Sequence, residues 1–162
     1  MSAQWEADVP VLRELYPALR RFAGVVTPVD VAPDDLVQEA LTRVLARGGL
    51  QGIDDPLAYL RRAIVNVASN ERRRSAIGRR ALARQVTDAA AAPRADYPSD
   101  LDELRRLPAR DRALLYLTEV EGAPIAEAAE LVGCTEGAAR MAVSRARRTL
   151  RKLLEDDDAN TR

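Results

Sequence analysis

Laid out at 100° per residue, the stretch from Ala139 to Leu154 divides into two unlike faces. Ala139, Ala142, Val143, Ala146, Leu150, Leu153 and Leu154 fall within an arc of about 120°. Arg140, Met141, Ser144, Arg145, Arg147, Arg148, Arg151 and Lys152 fall on the other side. One face is built to pack, and the other is a broad cationic stripe. Just upstream, "PIAEAAELVGCT" predicts a short helix, a turn at Gly133 and an N-cap at Thr135. Ala129 stands four residues before Gly133. A small residue there lets two helices cross closely, and the glycine permits the turn between them. That is a helix-turn-helix, whose second helix lies in the DNA major groove. The plain alternative is a solvated arginine face on a structural helix; the coupling of stripe to turn favours DNA. In that reading Arg140, Met141, Ser144 and Arg145 reach base edges. Arg147, Arg148, Arg151 and Lys152 lie further along and suit phosphates.

The stripe is local. Six basic residues and no acidic one lie between Arg140 and Lys152, yet the whole chain balances 25 basic against 25 acidic residues. Lys152 is the only lysine. Arginine grips phosphate and guanine edges bidentately where lysine does not, although GC-rich codon bias produces the same skew. The chain has no histidine. His-based acid–base catalysis, Ser-His triads and His metal ligands are therefore excluded. One cysteine, Cys134, cannot form an internal disulfide and fits a reducing cytoplasm; in the turn it reads as a small buried residue. No apolar run approaches the ~20 residues that span a membrane, and "MSAQWEADVPVL" lacks the pattern of a signal peptide.

Composition points to helices throughout. Leu12, Leu15, Leu19 and Phe22 recur at helical spacing over about 5–24. After "VTPVDVAP", Pro33 suits a first turn, Asp34 and Asp35 favour the positive end of the dipole, and Gly48-Gly49 closes a second helix. A third, long helix starts with Asp55 as N-cap and Pro56 at its first position. "VTDAAAAPRADYPSD" has no apolar period and reads as a linker, with a helix over roughly 81–91 as the alternative. "LDELRRLPARDRALLYL…" then gives four short helices broken at Pro108, Gly122 and Gly133, and the tail "EDDDANTR" is expected to fray. The fold class is all-α: two small helical domains, about 5–80 and 101–155, joined by a flexible linker over about 81–100.

The first domain carries its own polar faces. In "PLAYLRRAIVNVASNERRR", Leu57, Leu60, Ile64, Val67 and Ala68 pack. Tyr59, Arg62, Asn66, Ser69, Asn70 and Arg73 line another face within about 100°. An aromatic among arginines and amides offers a stacking plane, base-edge donors and charge for phosphates, as single-stranded DNA binding needs; a core tyrosine is the bland reading of Tyr59. Arg72, Arg74, Arg79 and Arg80 extend a nucleic-acid path. In "PDDLVQEALTRVLARG", Asp35, Gln38, Glu39, Thr42 and Arg43 point away from the packing face. Paired aspartates can hold magnesium, but no second acidic cluster completes a site, so no metal or other cofactor is expected. A protein-docking face is the better reading.

In this order and spacing, "DDLVQEALTRVLARG", "DPLAYLRRAIVNVASNERRR" and "LPARDRALLYLTEVEGAPIAEAAELVGCTEGAARMAVSRARRTL" resemble the bacterial RNA polymerase sigma factors of the extracytoplasmic-function group, the minimal sigma-70 type with regions 2 and 4 only. The resemblance covers nearly the whole chain. It implies a region 2 helical bundle and a region 4 helix-turn-helix. It implies that Asp35, Leu36, Gln38, Glu39 and Thr42 dock on the clamp helices of the polymerase β′ subunit. It further implies that the loop around Gly48–Asp54, with Gly49, Leu50 and Gln51, and the helix with Tyr59, Arg62, Asn66, Asn70 and Arg73 recognise and open the −10 element. The C-terminal helix would read the −35 element and contact the β flap. Core polymerase and promoter DNA are the implied partners, many relatives are held by an anti-sigma factor, and no catalytic activity or small-molecule substrate is implied. Two positions depart from the family: Ala138-Ala139 stands where bulkier Thr-Val is usual, and Tyr59 where tryptophan is common.

Neutral net charge fits a factor whose DNA contact is conditional, because nonspecific affinity grows with phosphate contacts. Free chain is then expected to bind promoter duplex poorly until core polymerase holds it. Two other classes compete. A stand-alone helix-turn-helix regulator, dimeric on an operator, leaves "DDLVQE" and the Tyr59 face without roles. A helical enzyme using Asp34 and Asp35 lacks histidine and a complementary acidic set.

Overall fold

In the computed structural model the described residues are 3–28, 31–82, 104–105 and 107–160, with side chains at 3–5, 72–82, 153–154 and 156–160 left aside. Every regular element among them is helical. Helix α1 spans Ala3–Val26, α2 Pro33–Ala46 and α3 Pro56–Leu82. Helix α4 spans Ala109–Leu115 and runs into one π turn over Tyr116–Val120; α5 spans Ile125–Val132 and α6 Glu136–Asn160. The linker expected over 81–100 lies almost wholly outside the described residues, as does the helix expected just before Pro108 except for Leu104, Arg105 and Leu107.

The local signals act as their chemistry predicts. Pro33 occupies the first turn of α2. The Ala58 amide donates to Asp55 Oδ1 at 2.9 Å, so Asp55 caps α3. The Ala138 amide donates to Thr135 Oγ1 at 3.2 Å and caps α6. Helix α1 contains Pro10 and Pro17, both exposed, each removing one ladder donor from the solvent side. Its other face, with Leu19, Phe22, Ala23 and Val26, is fully buried. The C-terminal tail departs from expectation: α6 continues to Asn160 rather than fraying after Leu154. No glycine or proline interrupts the chain from Ala138 to Asn160, and Glu155 follows Arg151 at the i,i+4 spacing that lets opposite charges pair.

Helices α1, α2 and α3 pack on one another, as do α4, α5 and α6. The two sets also meet: α4 lies against α1 and α3, and α5 against α3. A single buried cluster therefore runs from Leu12 and Phe22 through Ile64 and Val65 to Leu114, Ala139 and Val143. Fully burying an aliphatic side chain contributes about 1.5–3 kcal/mol, so this shared core holds the two sets together as well as each alone.

Polar contacts reinforce the junction. Arg112 on α4 is 2 % exposed. Its guanidinium donates to the carbonyls of Val26, Thr27 and Arg105. Val26 ends α1, whose last carbonyls lack helical donors and carry the negative end of the dipole, so a cation belongs there. Arg61 on α3 reaches Glu121, just past the π turn, and stacks over the Phe22 ring at 5.3 Å. Tyr116 meets Phe22 edge-on, ring centroids 5.8 Å apart. Burial and then the Glu121 charge push the Tyr116 hydroxyl above its ordinary pKa.

Candidate nucleic-acid and polymerase interface

Gly133 ends α5 in the left-handed conformation, φ 78° and ψ 46°. Its amide donates to the Ala129 carbonyl at 2.9 Å, and the Cys134 amide to the same oxygen at 3.0 Å. Ala129 is buried, so the two helices cross at a small residue as its spacing implied. Cys134 is half-buried in the turn. Ala139 is fully buried, with Ala142, Val143 and Ala146 beside it. Of the Ala-Ala start of α6, Ala139 thus seats the helix, while Ala138 faces solvent.

The opposite face of α6 is exposed from Arg140 to Arg151: Arg140, Met141, Ser144, Arg145, Arg147, Arg148 and Arg151 all face solvent. Met141 is 64 % exposed, unusual for so large an apolar side chain. Arg140 pairs with Glu136 one turn earlier, and Arg147 with Glu119 of the π turn. The hydrogen bond from Arg147, aided by its charge, holds Glu119 below the ordinary carboxylate range. Arg147 is thus oriented by the protein, while Arg145 and Arg151 project into water.

On α3, Tyr59 is half-buried, and Arg62, Asn66 and Asn70 are exposed. All four line a cleft of roughly 880 Å³ whose far wall is Pro108–Asp111. Arg43 of α2 and Arg47, just past its end, add charge to its rim. The Arg62 guanidinium lies against the helix-turn-helix: a Cβ on Gly133 would sit 3.0 Å from its Nη2. The Arg73 side chain lies outside the described ones. In the preceding loop, Gln51 is exposed, Gly49 is half-buried and Leu50 is buried.

Along α2, Asp35, Gln38, Glu39 and Thr42 are exposed on one side. Leu36, expected to dock with them, is 1 % exposed and belongs to the core instead. One residue of that run must face inward for α2 to pack, and the 100° step assigns it to Leu36. Asp34 is also drawn into the fold: it accepts from the Tyr16 hydroxyl at 2.8 Å and from Arg20 Nε at 2.9 Å. Arg20, then Tyr16, lowers its pKa.

Sequence patterning missed the residues that join the two helix sets. Arg61 falls on the packing side of α3 between Ala68 and Val65, and Arg112 on that of α4 with Ala109 and Ala113. An arginine on an apolar arc is the signal that identifies both.

Two family descriptions match the chain: "Sigma-70 region 2" over residues 11–77 and "Sigma-70, region 4" over residues 101–150. A Streptomyces avermitilis protein, RNA polymerase sigma-E factor, is 30 % identical over 151 residues, covering 90 % of this chain and 83 % of its own. Among solved structures, the sigma factor RpoE in complex with the anti-sigma factor NepR from Bartonella quintana superposes with a TM-score of 0.69 at 26 % identity, covering 93 % of this chain and 98 % of that one. With the exposed arc of α6, the helix-turn-helix and the shared all-helical fold, these relationships make the chain a transcription initiation factor: it belongs to the sigma-70 family, as a sigma factor of the extracytoplasmic-function group.

Proposed function

We propose that this sigma factor divides its work between about 5–80 and 101–155, joined by a linker over about 81–100. The first part docks on the polymerase clamp through Asp35, Gln38, Glu39 and Thr42. It opens the −10 element through Gly49, Gln51, Tyr59, Arg62, Asn66, Asn70 and Arg73, with buried Leu50 holding the loop. The second reads the −35 element through Arg140, Met141, Ser144 and Arg145, while Arg147, Arg148 and Arg151 hold phosphates. The observation that carries this is the α6 arc: an unbroken exposed cationic face on a helix whose start is fixed by the Thr135 cap and the Gly133 turn. The chain works in the cytoplasm, where polymerase is, and catalyses no reaction itself.

Its closed form bears on timing. The proposed −10 face looks into a cleft walled by the start of α4, so a DNA strand following α3 would meet α4 there. Free chain then reads promoters poorly, and core polymerase separates the two reading heads. An anti-sigma factor, as in the complex of the Bartonella relative, would cover the polymerase-docking faces. Transcription with purified core polymerase on a randomised promoter library tests the assignment, read beside a mobility shift with and without core. Selected −35 and −10 sequences that appear only with core support it. Tight, sequence-specific duplex binding by the chain alone would sink the conditional reading.

A further inference from the structure

The loop between α2 and α3 is fastened from outside both helices. Asp8, on α1, is 7 % exposed. Its Oδ2 accepts the backbone N–H of Leu50 at 3.1 Å, across 42 residues of chain. Gly49, next to it, has φ +75°, and a Cβ there would lie 2.3 Å from the same oxygen. The position therefore demands glycine twice over, for its backbone and for the carboxylate standing where a side chain would begin. Gly48 at φ +116° and Gly52 at φ +76° extend the left-handed run. Such a run is conformationally loose when free, because glycine has the most freedom to lose. Along the loop's backbone the Gly48 amide donates to Leu45, that of Gly49 to Val44 and that of Ile53 to Leu50, each at 3.1 Å. A buried carboxylate is costly unless well partnered, and this one is committed to a loop amide.

We propose that Asp8 is a positioning residue for promoter opening. Its carboxylate, fixed on α1, holds the Leu50 amide and sets the exposed tip, Gln51 and Gly52, where an unstacked −10 base is received. The inference rests on reading the Gly48–Asp54 loop as part of the −10 surface. Asp8 itself does not touch DNA. It acts by preorganisation: a loop already held in the accepting shape has little ordering left to lose when the base arrives.

The test uses the full chain with core polymerase on templates varied at each −10 position, both as closed duplex and pre-opened across the element. Asp8→Ala is expected to slow opening of closed duplex about tenfold and to flatten −10 base preference to about twofold. Pre-opened templates should recover most of the rate but not the preference. Asp8→Asn keeps an oxygen acceptor and should restore much of the preference. Core affinity should be unchanged, since the docking face of α2 is elsewhere. If Asp8→Ala folds poorly, Gly49→Ala displaces the loop from its own side and should flatten the same preference. Unchanged base preference in Asp8→Ala or, where that variant does not fold, in Gly49→Ala, while Gln51→Ala flattens it, overturns the proposal. If Gln51→Ala also leaves preference intact, the loop does not read the −10 element, and the role of Asp8 falls with that reading.

Discussion

Arg61 and Glu121, 60 residues apart, meet in a two-pronged ion pair, Nη1 donating to Oε2 at 2.9 Å and Nη2 to Oε1 at 2.6 Å. The pair joins α3 to the turn after α4. Its side chains are only 11 % and 28 % exposed, so water screens it less than a surface pair. Fork geometry makes it stronger than a single charged hydrogen bond. Glu121→Ala leaves Arg61 against the Phe22 ring without its carboxylate partner and should cost about 1–3 kcal/mol in denaturant unfolding. It should also loosen the closed form. Small-angle scattering should show a larger radius of gyration, and free chain should bind a single-stranded −10 oligonucleotide about tenfold more tightly. Unchanged oligonucleotide affinity in an expanded chain would show that closure does not gate the −10 face.

Arg112 is the second tie, and it is the more deeply buried of the two, 2 % exposed against 9 % for Arg61. Arg112→Ala strips donors from the carbonyls of Val26, Thr27 and Arg105 together. At about 1–3 kcal/mol for each buried acceptor left unmet, less what water recovers, the loss should be about 3–5 kcal/mol. Arg112→Lys should recover only part, since an ammonium cannot span three carbonyls as the planar fork does. Thermal unfolding of the three proteins gives the ranking directly.

The faces were legible and the junction was not, for a physical reason. Helical periodicity separates what packs from what is wet, so the α6 arc, the Asp55 and Thr135 caps and the Gly133 turn could be read from spacing alone. Periodicity cannot say which wet residues meet across space. Glu121 looks like solvent-facing loop until Arg61 is opposite it, and Asp8 like a helix-start acid until the Leu50 amide is. Leu36 shows the converse: periodicity puts it on the packing side of α2, where it is buried, while the family resemblance counts it in the docking run. The tail of α6 was missed because chain ends commonly fray, while the absence of any breaker allowed the helix to continue.

Acid should release Arg147 before it unfolds the core. Its hydrogen bond lowers the pKa of Glu119, so the pair's contribution is complete above the ordinary carboxylate range and is lost as pH falls through the lowered value. Asp34 behaves in the same sense through Arg20 and Tyr16. Carboxylate-detected NMR should place the Glu119 midpoint below the usual 4.5. Arg147→Ala should return it to that value, leaving the Asp34 midpoint in place. A Glu119 midpoint insensitive to Arg147→Ala would mean the pair does not form in solution.

The division of the α6 arc makes the sharpest distinction. Arg145 stands beside Ser144 near the start of the helix, and Arg151 lies well over a turn further along. A bidentate contact to a base discriminates by about 1–3 kcal/mol, whereas a phosphate contact is blind to sequence. With core polymerase present, Arg145→Ala should therefore weaken cognate −35 promoters by that amount and leave scrambled −35 sequences nearly unaffected. Arg151→Ala should weaken both alike and reduce the salt slope of binding by about one counterion. Titrations of both variants on both templates across a salt series separate the two roles. Equal losses on cognate and scrambled DNA for Arg145→Ala would move it to the phosphate set and shift base reading towards Arg140 and Met141.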